Sequence, residues 1–214
     1  MLKAVIIIIL NFYSVSIFCQ PRNFIGGIFF NGNGIHIVGD DNAYWQNSKG
    51  TIWGGGGLSA GLSVKCYLNK KYYLNLELRY IQKGSVYEYL NQYATQTFEV
   101  LRLNYMELPV SVGYKLKINK KNYFIESGFA YAKLFSPKVK MNDFAHRTGI
   151  TNAESFKDHD ISWISSFKFS LNKKGKENLL FGLRFSHSLF TIHEYYKLKN
   201  LVYGLQIDYM FKCR

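Results

Sequence analysis

The sequence predicts an all-β protein, an eight-stranded antiparallel up-and-down transmembrane β-barrel. Three observations carry that prediction. Apolar residues recur at every second position in eight separate runs, the period of a strand with two different faces. Beyond residue 20 no apolar stretch approaches the roughly 20 residues that a membrane helix needs, so any membrane span must be made of strands. The connections between the runs alternate between long and short, as in barrels with short periplasmic turns and longer extracellular loops.

Residues 1–19 read as a signal peptide and 20–214 as the barrel domain. Lys3 supplies the positive start, 4–10 form a continuous apolar run, and 11–18 are a more mixed tail. Cleavage between Cys19 and Gln20 puts Ile17 and Cys19 at the recognition positions. Cys19 is also where a lipoprotein would be acylated, a reading that the bulky Phe18 disfavours. Whether Cys19 is removed or lipidated stays open. The spacing of Cys66 and Cys213 matches no metal motif. Cys66 reads as a small apolar strand residue, and the strand order argues against a disulfide from it to Cys213.

The runs follow in order. A weaker first strand occupies 24–30. Leu58, Ala60, Leu62, Val64, Cys66 and Leu68 then share one face, with Ser59, Gly61, Ser63, Lys65 and Tyr67 on the other. After a tight hairpin at 69–71, Tyr72, Leu74, Leu76, Leu78 and Tyr80 oppose Tyr73, Asn75, Glu77, Arg79 and Ile81. Met106, Leu108, Val110, Val112, Tyr114 and Leu116 oppose Tyr105, Glu107, Pro109, Ser111, Gly113 and Lys115. The upstream Leu101, Leu103 and Tyr105 have the opposite parity, which reads as a β-bulge near Tyr105. Tyr123, Ile125, Phe129 and Tyr131 oppose Glu126, Gly128, Ala130 and Ala132. Ile161, Trp163, Phe167, Phe169 and Leu171 oppose Asp160, Ser162, Ser166, Lys168 and Ser170. The last two runs set Leu179, Phe181, Leu183, Phe185 and Leu189 against Gly182, Arg184, Ser186 and Ser188, and Leu201, Tyr203, Leu205, Ile207, Tyr209 and Phe211 against Gly204, Gln206, Asp208 and Lys212. The long connections are read at 31–55, 85–97, 137–158 and 192–200, the short ones at 69–71, 118–121 and 172–178.

Which face meets lipid follows from charge. The apolar faces are large, aromatic at their ends and nearly free of charge, as a lipid-facing surface requires; Leu62, Leu76, Val112 and Leu205 lie mid-strand on them. The polar faces carry Lys65, Glu77, Arg79, Glu107, Glu126, Asp160, Lys168, Arg184 and Asp208 among small residues. These nine are expected to form a buried polar network that blocks an open pore, because eight strands leave room only for side chains. Arg79 is expected to meet a carboxylate from a neighbouring strand, and Arg184 to lie near Asp208. A secreted, soluble, lipocalin-like binding barrel is the structural alternative. Aromatics at 17% suit interfacial belts. The formal charge of +13 sits largely in turns and at the C-terminus, where it reads first as solubilising turn lysines and second as contact with anionic head groups, rather than as a nucleic-acid surface.

Short motifs recur along these strands: LELRYIQKG at 76–84, Tyr105, Met106, Glu107, Leu108, Pro109 and Val110, ESGFAYAKL at 126–134, DISW at 160–163, LRFSHSL at 183–189, and Tyr209, Met210 and Phe211. Their order over about 22–212 resembles the PorT-like outer-membrane β-barrel family of Bacteroidetes, most specifically in the Tyr-x-Glu-x-Pro segment after a strand ending Lys-Gly. The Lys212, Cys213 and Arg214 tail departs from many such barrels, which end on the aromatic. The resemblance implies an outer-membrane location and no known catalytic residues. The namesake of the family assists type IX protein secretion, while most members have no assigned role.

Candidate chemistry is sparse. His187 lies between Ser186 and Ser188, and strand neighbours point to opposite faces, so neither serine can be activated by it. His36, His146, His159 and His193 are spread over the loops or their edges; His146 with Asp143, and His159 with Asp158 and Asp160, match no defined metal site. The glycines at 54–57 open a strand and lack the Lys-Ser/Thr of a phosphate loop. Asn42, Tyr44, Trp45, Gln46 and Asn47 mix aromatic and polar groups as recognition surfaces do. The expectation is a non-enzymatic interaction or accessory barrel without cofactor or catalytic residue, acting through its extracellular loops. Its partners would be outer-membrane lipid and envelope proteins, not nucleic acid. A lipid-modifying or small-solute transport barrel is the alternative.

Overall fold

Alternation of apolar and polar side chains on long strands leaves two faces that must be buried differently, and closing the sheet solves this for every strand at once. In the computed structural model, which describes residues 24–39, 51–90, 96–119, 121–140, 155–171 and 178–212, the strands are β1 (Phe24–Val38), β2 (Thr51–Trp53), β3 (Gly55–Tyr67), β4 (Tyr72–Leu90), β5 (Gln96–Ile118), β6 (Lys121–Lys140), β7 (His159–Ser170), β8 (Leu179–Ser188) and β9 (Lys199–Lys212). Eight of them form one closed antiparallel barrel. Each pairs with its neighbours in order, β4 with β5 included, and β1 pairs with β9 to close the ring. The short β2 is an addition outside that ring, paired only with β4.

Strand bounds differ most from the sequence reading in two places. β1 does not end at Phe30 but runs on to Val38, with Asn31, Asn33, Ile35 and Ile37 all facing inward. Its interspersed glycines had the look of a loop, yet the ladders to β3 and β9 on either side satisfy that backbone. Most of 85–97 is likewise strand, because β4 and β5 extend as a ribbon to Leu90 and Gln96. That connection is therefore only 91–95, shorter than the one at 171–178, although each loop-end connection remains longer than the turns on either side of it. At the other hairpin end the tight turn is as expected: the Asn69 side-chain oxygen accepts from the backbone N–H groups of Lys71 and Tyr72, both at 2.8 Å.

The bulge near Tyr105 is present, but its extra residue is Phe135 of β6: Asn104 pairs with Ser136 and Tyr105 with Leu134. β5 keeps one parity throughout. Leu101, Leu103 and Tyr105 therefore point into the barrel, at 3%, 0% and 0% exposure, rather than joining the outer apolar face. Pro109 lacks an N–H, and the β4–β5 ladder is interrupted beside it, between the Leu76–Val110 and Arg79–Glu107 pairs. Gly113 is required by packing, since a side chain there would collide with the Tyr73 ring that lies across it. Gly84 is required by its backbone, φ +132°, beside the Leu101 carbonyl.

The outer surface is an apolar band. Leu62, Val112 and Leu205 are more than half exposed on it, and Leu76 shares the face but is half-buried. Aromatic pairs bracket the band. Tyr72–Tyr114 and Phe169–Phe181 lie toward the turn end, with centroids 5.1 and 5.7 Å apart, and Tyr80–Phe135 and Trp163–Phe185 toward the loop end, both at 5.9 Å. From Tyr72 to Tyr80 a strand advances roughly 26 Å at about 3.3 Å per residue, which a barrel tilt reduces to the depth of an outer-membrane apolar belt. Inside, two apolar layers close the ends. Tyr73, Phe124, Leu180 and Met210 fill the turn end. Ile35, Ile81, Leu103, Tyr105, Leu134 and Val202 fill the loop end together with Phe156, Ile192 and Leu198 from the connections above.

Candidate functional site: a filled and charge-balanced lumen

Between the two apolar layers every strand of the barrel contributes inward polar residues. Five cations, Lys65, Arg79, Lys83, Lys168 and Arg184, face five anions, Glu77, Glu107, Glu126, Asp160 and Asp208, and all ten are at most 7% exposed. The lumen charges cancel, so the formal +13 of the chain lies outside them. Burying a charge is costly unless it is paired, and here each cation has a carboxylate within salt-bridge distance.

The pairs fall into three groups along the axis. Nearest the turn end, Lys168 bridges Asp208 at 2.8 Å and Glu126 at 3.0 Å, and Lys65 reaches Glu126 at 3.4 Å. Glu126 also accepts from the Tyr73 hydroxyl at 2.9 Å and the Ser166 hydroxyl at 2.8 Å. Lys65 lies over the Tyr73 and Phe124 rings, 5.1 and 4.9 Å from their centroids, which joins the ion cluster to the apolar layer beneath it. In the middle, Glu77 takes Arg79 and Arg184, each at 3.0 Å. Arg79 also stacks on Phe29 at 4.4 Å and donates to Gln206 at 3.3 Å. Toward the loop end, Lys83 bridges Asp160 at 2.9 Å and Glu107 at 3.0 Å. Asp160 further accepts from Ser188 at 2.9 Å and from Asn200 at 3.1 Å.

All nine residues singled out from the sequence thus lie in the lumen, but their partners differ from those expected. Arg184 does not pair with Asp208 on the adjacent strand; it crosses the lumen to Glu77, 107 positions away in sequence, and Asp208 pairs with Lys168. Arg79 meets a carboxylate of its own strand, two residues away, rather than one across a hairpin. In a barrel this narrow the opposite wall is within side-chain reach, so strand adjacency does not decide pairing. Lys83 is a tenth charged member that the sequence reading missed. It stands in the Lys-Gly pair at which the sequence reading ends the strand and lies outside the nine residues of the expected network, yet it is fully buried because β4 continues past it. Its parity with Glu77 and Arg79 was the available signal.

Ser186 and Ser188 point inward at 4% and 0% exposure, and His187 points outward between them, so the three form no hydrogen-bonded dyad. His159 faces outward and its Nδ1 lies 2.6 Å from the Tyr131 hydroxyl. His193 is not a solvated loop histidine: it is 2% exposed, packs edge-on to Phe156 at 5.1 Å, and its Nδ1 accepts from the backbone N–H groups of Tyr195 and Tyr196, both at 3.2 Å. Burial in this packed loop lowers its pKa below the ordinary histidine value. No cluster of three or more metal-ligating side chains occurs among the described residues. Of the glycines at 54–57, Gly55 and Gly57 form a narrow inner wall against Ile35, as a strand opening allows. Cys66 is not a free apolar residue, because it is disulfide-bonded; Cys19 and Cys213 both lie outside the described residues. So do 1–19, the loop residues Asn42, Tyr44, Trp45, Gln46 and Asn47, and Asp143 and His146.

A closed antiparallel barrel with an apolar outer band, aromatic borders and a polar interior is the architecture of an outer-membrane protein. The model of the outer membrane protein beta-barrel domain family matches residues 29–194, and the chain belongs to that family. It is a multi-pass β-barrel of the Gram-negative outer membrane. No curated protein matches the chain. Among solved structures, Neisserial surface protein A is similar at 9% identity, with 88% of this chain and 97% of that one covered and a TM-score of 0.46. The attachment invasion locus protein Ail of Yersinia pestis is similar at 10% identity, 89% and 99% coverage and a TM-score of 0.44. OprG of Pseudomonas aeruginosa is similar at 12% identity, 89% and 95% coverage and a TM-score of 0.43.

Proposed function

We propose that this protein is a non-enzymatic interaction or accessory barrel that does not conduct ions and works through its loop end. The observation that carries this reading is the lumen. Ten charges pair among themselves there, between apolar layers at both ends. The same filling disfavours a solute path, and the opposed faces of Ser186 and His187 disfavour a serine–histidine site for lipid modification. A lipocalin-like soluble barrel would bury its apolar face inside, the reverse of what is seen. Planar-bilayer recording of the refolded chain tests the reading: a quiet bilayer is expected, and a large steady conductance would overturn it.

The finer assignment, a PorT-like barrel serving type IX secretion or envelope integrity, is supported by the order of motifs around Tyr105, Glu107 and Pro109. Deleting the gene in its host and measuring secreted cargo and detergent sensitivity tests it; no change in either would reject it. We also propose that the mature chain begins at Gln20, which N-terminal sequencing of outer-membrane fractions decides.

A further inference from the structure

The outer surface is not uniform at its loop end. β1, β3, β4 and β8 place no lysine or arginine outward among the described residues, since Lys65, Arg79, Lys83 and Arg184 are all inside. On β5, on β6 and in the segment leading into β7 the situation reverses. Arg102 is exposed between the inward Leu101 and Leu103, and Lys133 between the inward Ala132 and Leu134. Lys133 pairs in register with His159, which is exposed and held against Tyr131. Lys157 is exposed beside the inward Phe156 and is steadied by Thr191 at 2.9 Å. Neither Arg102 nor Lys133 has an acidic partner among the described residues. The acids exposed in the same stretch are Asp158 and Glu194, both beside Lys157 rather than beside Arg102 or Lys133.

Height matters as much as charge. Lys133 and His159 stand one outward step above Tyr131 and Ile161, and two above Phe129 and Trp163, where the aromatic border of the lipid band lies. Arg102 is four residues above Met106, the register partner of Lys133, roughly 13 Å further along the strand. Beneath Lys133 and Lys157 the lipid face is hollowed. A cleft of about 730 Å³ runs from Ser127 of β6 and Ser165 of β7 past Trp163, Phe185 and Tyr203 to Gly34 of β1, one strand to the side of Arg102 on β5. Ser127 lies six residues below Lys133, roughly 20 Å along the strand and within the hydrocarbon thickness. The patch is thus continuous with the lipid-contacting surface and lies where head groups begin.

We propose that this face seats a phosphorylated lipid of the outer leaflet, its phosphates held by Arg102, Lys133 and Lys157 and its acyl chains lying in the cleft below. Two separated cation positions suit a head group with two phosphates. The cleft distinguishes a lipid from a free anion, which would need the cations alone.

The test uses the full mature chain refolded in phosphatidylcholine nanodiscs, with bound lipid read by native mass spectrometry. Bis-phosphorylated lipid A is compared with the same lipid dephosphorylated, and inorganic phosphate is added as competitor. The expected result is at least tenfold better retention of the phosphorylated lipid than of its dephosphorylated form. Retention should fall at least fivefold in the double variant Arg102→Ala, Lys133→Ala, and stay as in the wild type for Lys70→Ala, Lys71→Ala at the opposite rim. Equal retention of the two lipids overturns the proposal, as does full retention by the first variant, while displacement by inorganic phosphate at low concentration would indicate a free-anion site instead. Heat-modifiable gel migration checks that each variant is folded. If the first variant does not fold, the lipid comparison on the unmodified chain decides.

Discussion

The two apolar layers that close the lumen are built differently. The turn-end layer is made by strand residues: Tyr73, Phe124, Leu180 and Met210 belong to β4, β6, β8 and β9. The loop-end layer takes Phe156, Ile192 and Leu198 from connections, and the Phe156–His193 bridge ties two of those connections together. The first layer therefore exists whenever the barrel exists. The second also needs the loops to fold, and loops open more easily than strands in a closed ladder. A barrel so made can rearrange its outer end without losing its walls, which is what a surface for partners requires.

The largest effect should come from the ion layer that both ends protect. Lys168→Ala leaves Asp208 and part of Glu126 uncompensated and should cost about 3–5 kcal/mol, read from urea unfolding in vesicles. A loss below about 1 kcal/mol would mean that water reaches the cluster. Next, Phe124→Ala should destabilise the whole barrel by about 3–5 kcal/mol. Ile192→Ala should instead leave the global midpoint nearly unchanged and speed proteolysis within 189–198. Equal global losses from the two would erase the distinction between the layers. On the outer wall, Val112→Arg should cost about 2–4 kcal/mol at mid-depth, whereas Ser111→Ala, on the inner face, should be mild; matching losses would reverse the face assignment.

The smallest effect concerns pH at the loop end. Burial lowers the His193 pKa in the folded loop, so the folded state favours the neutral ring. Its contribution to loop stability is complete above the unfolded value of about 6.5 and declines as pH falls below it toward the lower folded pKa. Protonation of Nδ1 also removes the acceptor for the Tyr195 and Tyr196 N–H groups. Amide protection factors, corrected for the intrinsic pH dependence of exchange, should fall in 189–198 as pH is lowered through about 6.5 in the wild type but not in His193→Asn, while those in β8 stay constant. An identical pH response in the variant would remove His193 from this role.

Side-chain parity was legible because it is local. A strand turns its side chains over every residue, so Leu62 and Lys65, or Val112 and Glu107, declare their faces from spacing alone, and the ring of eight follows once every strand has one lipid face. Even Leu101, Leu103 and Tyr105 had the inward parity on the page. They misled because apolar residues were assigned to lipid, when the end of a lumen wants them too. Lys83 and the second half of β1 were missed for the related reason that a polar or glycine-rich stretch looks like a loop until its neighbours on both sides supply a ladder.

Pairing across the lumen was decided by closure alone. Arg184 and Glu77 stand on β8 and β4, on opposite sides of the ring, and Lys83 and Asp160 on β4 and β7. Nothing in the spacing of a single strand measures the width of the barrel, and only that width makes a side chain of one wall reach a carboxylate on the other. The sequence by itself determined which residues are inside and which meet lipid, since that depends on the pleat. Which charges neutralise one another, and which end is sealed by loops, depended on curvature and register accumulated over eight strands, and those exist only in the folded ring.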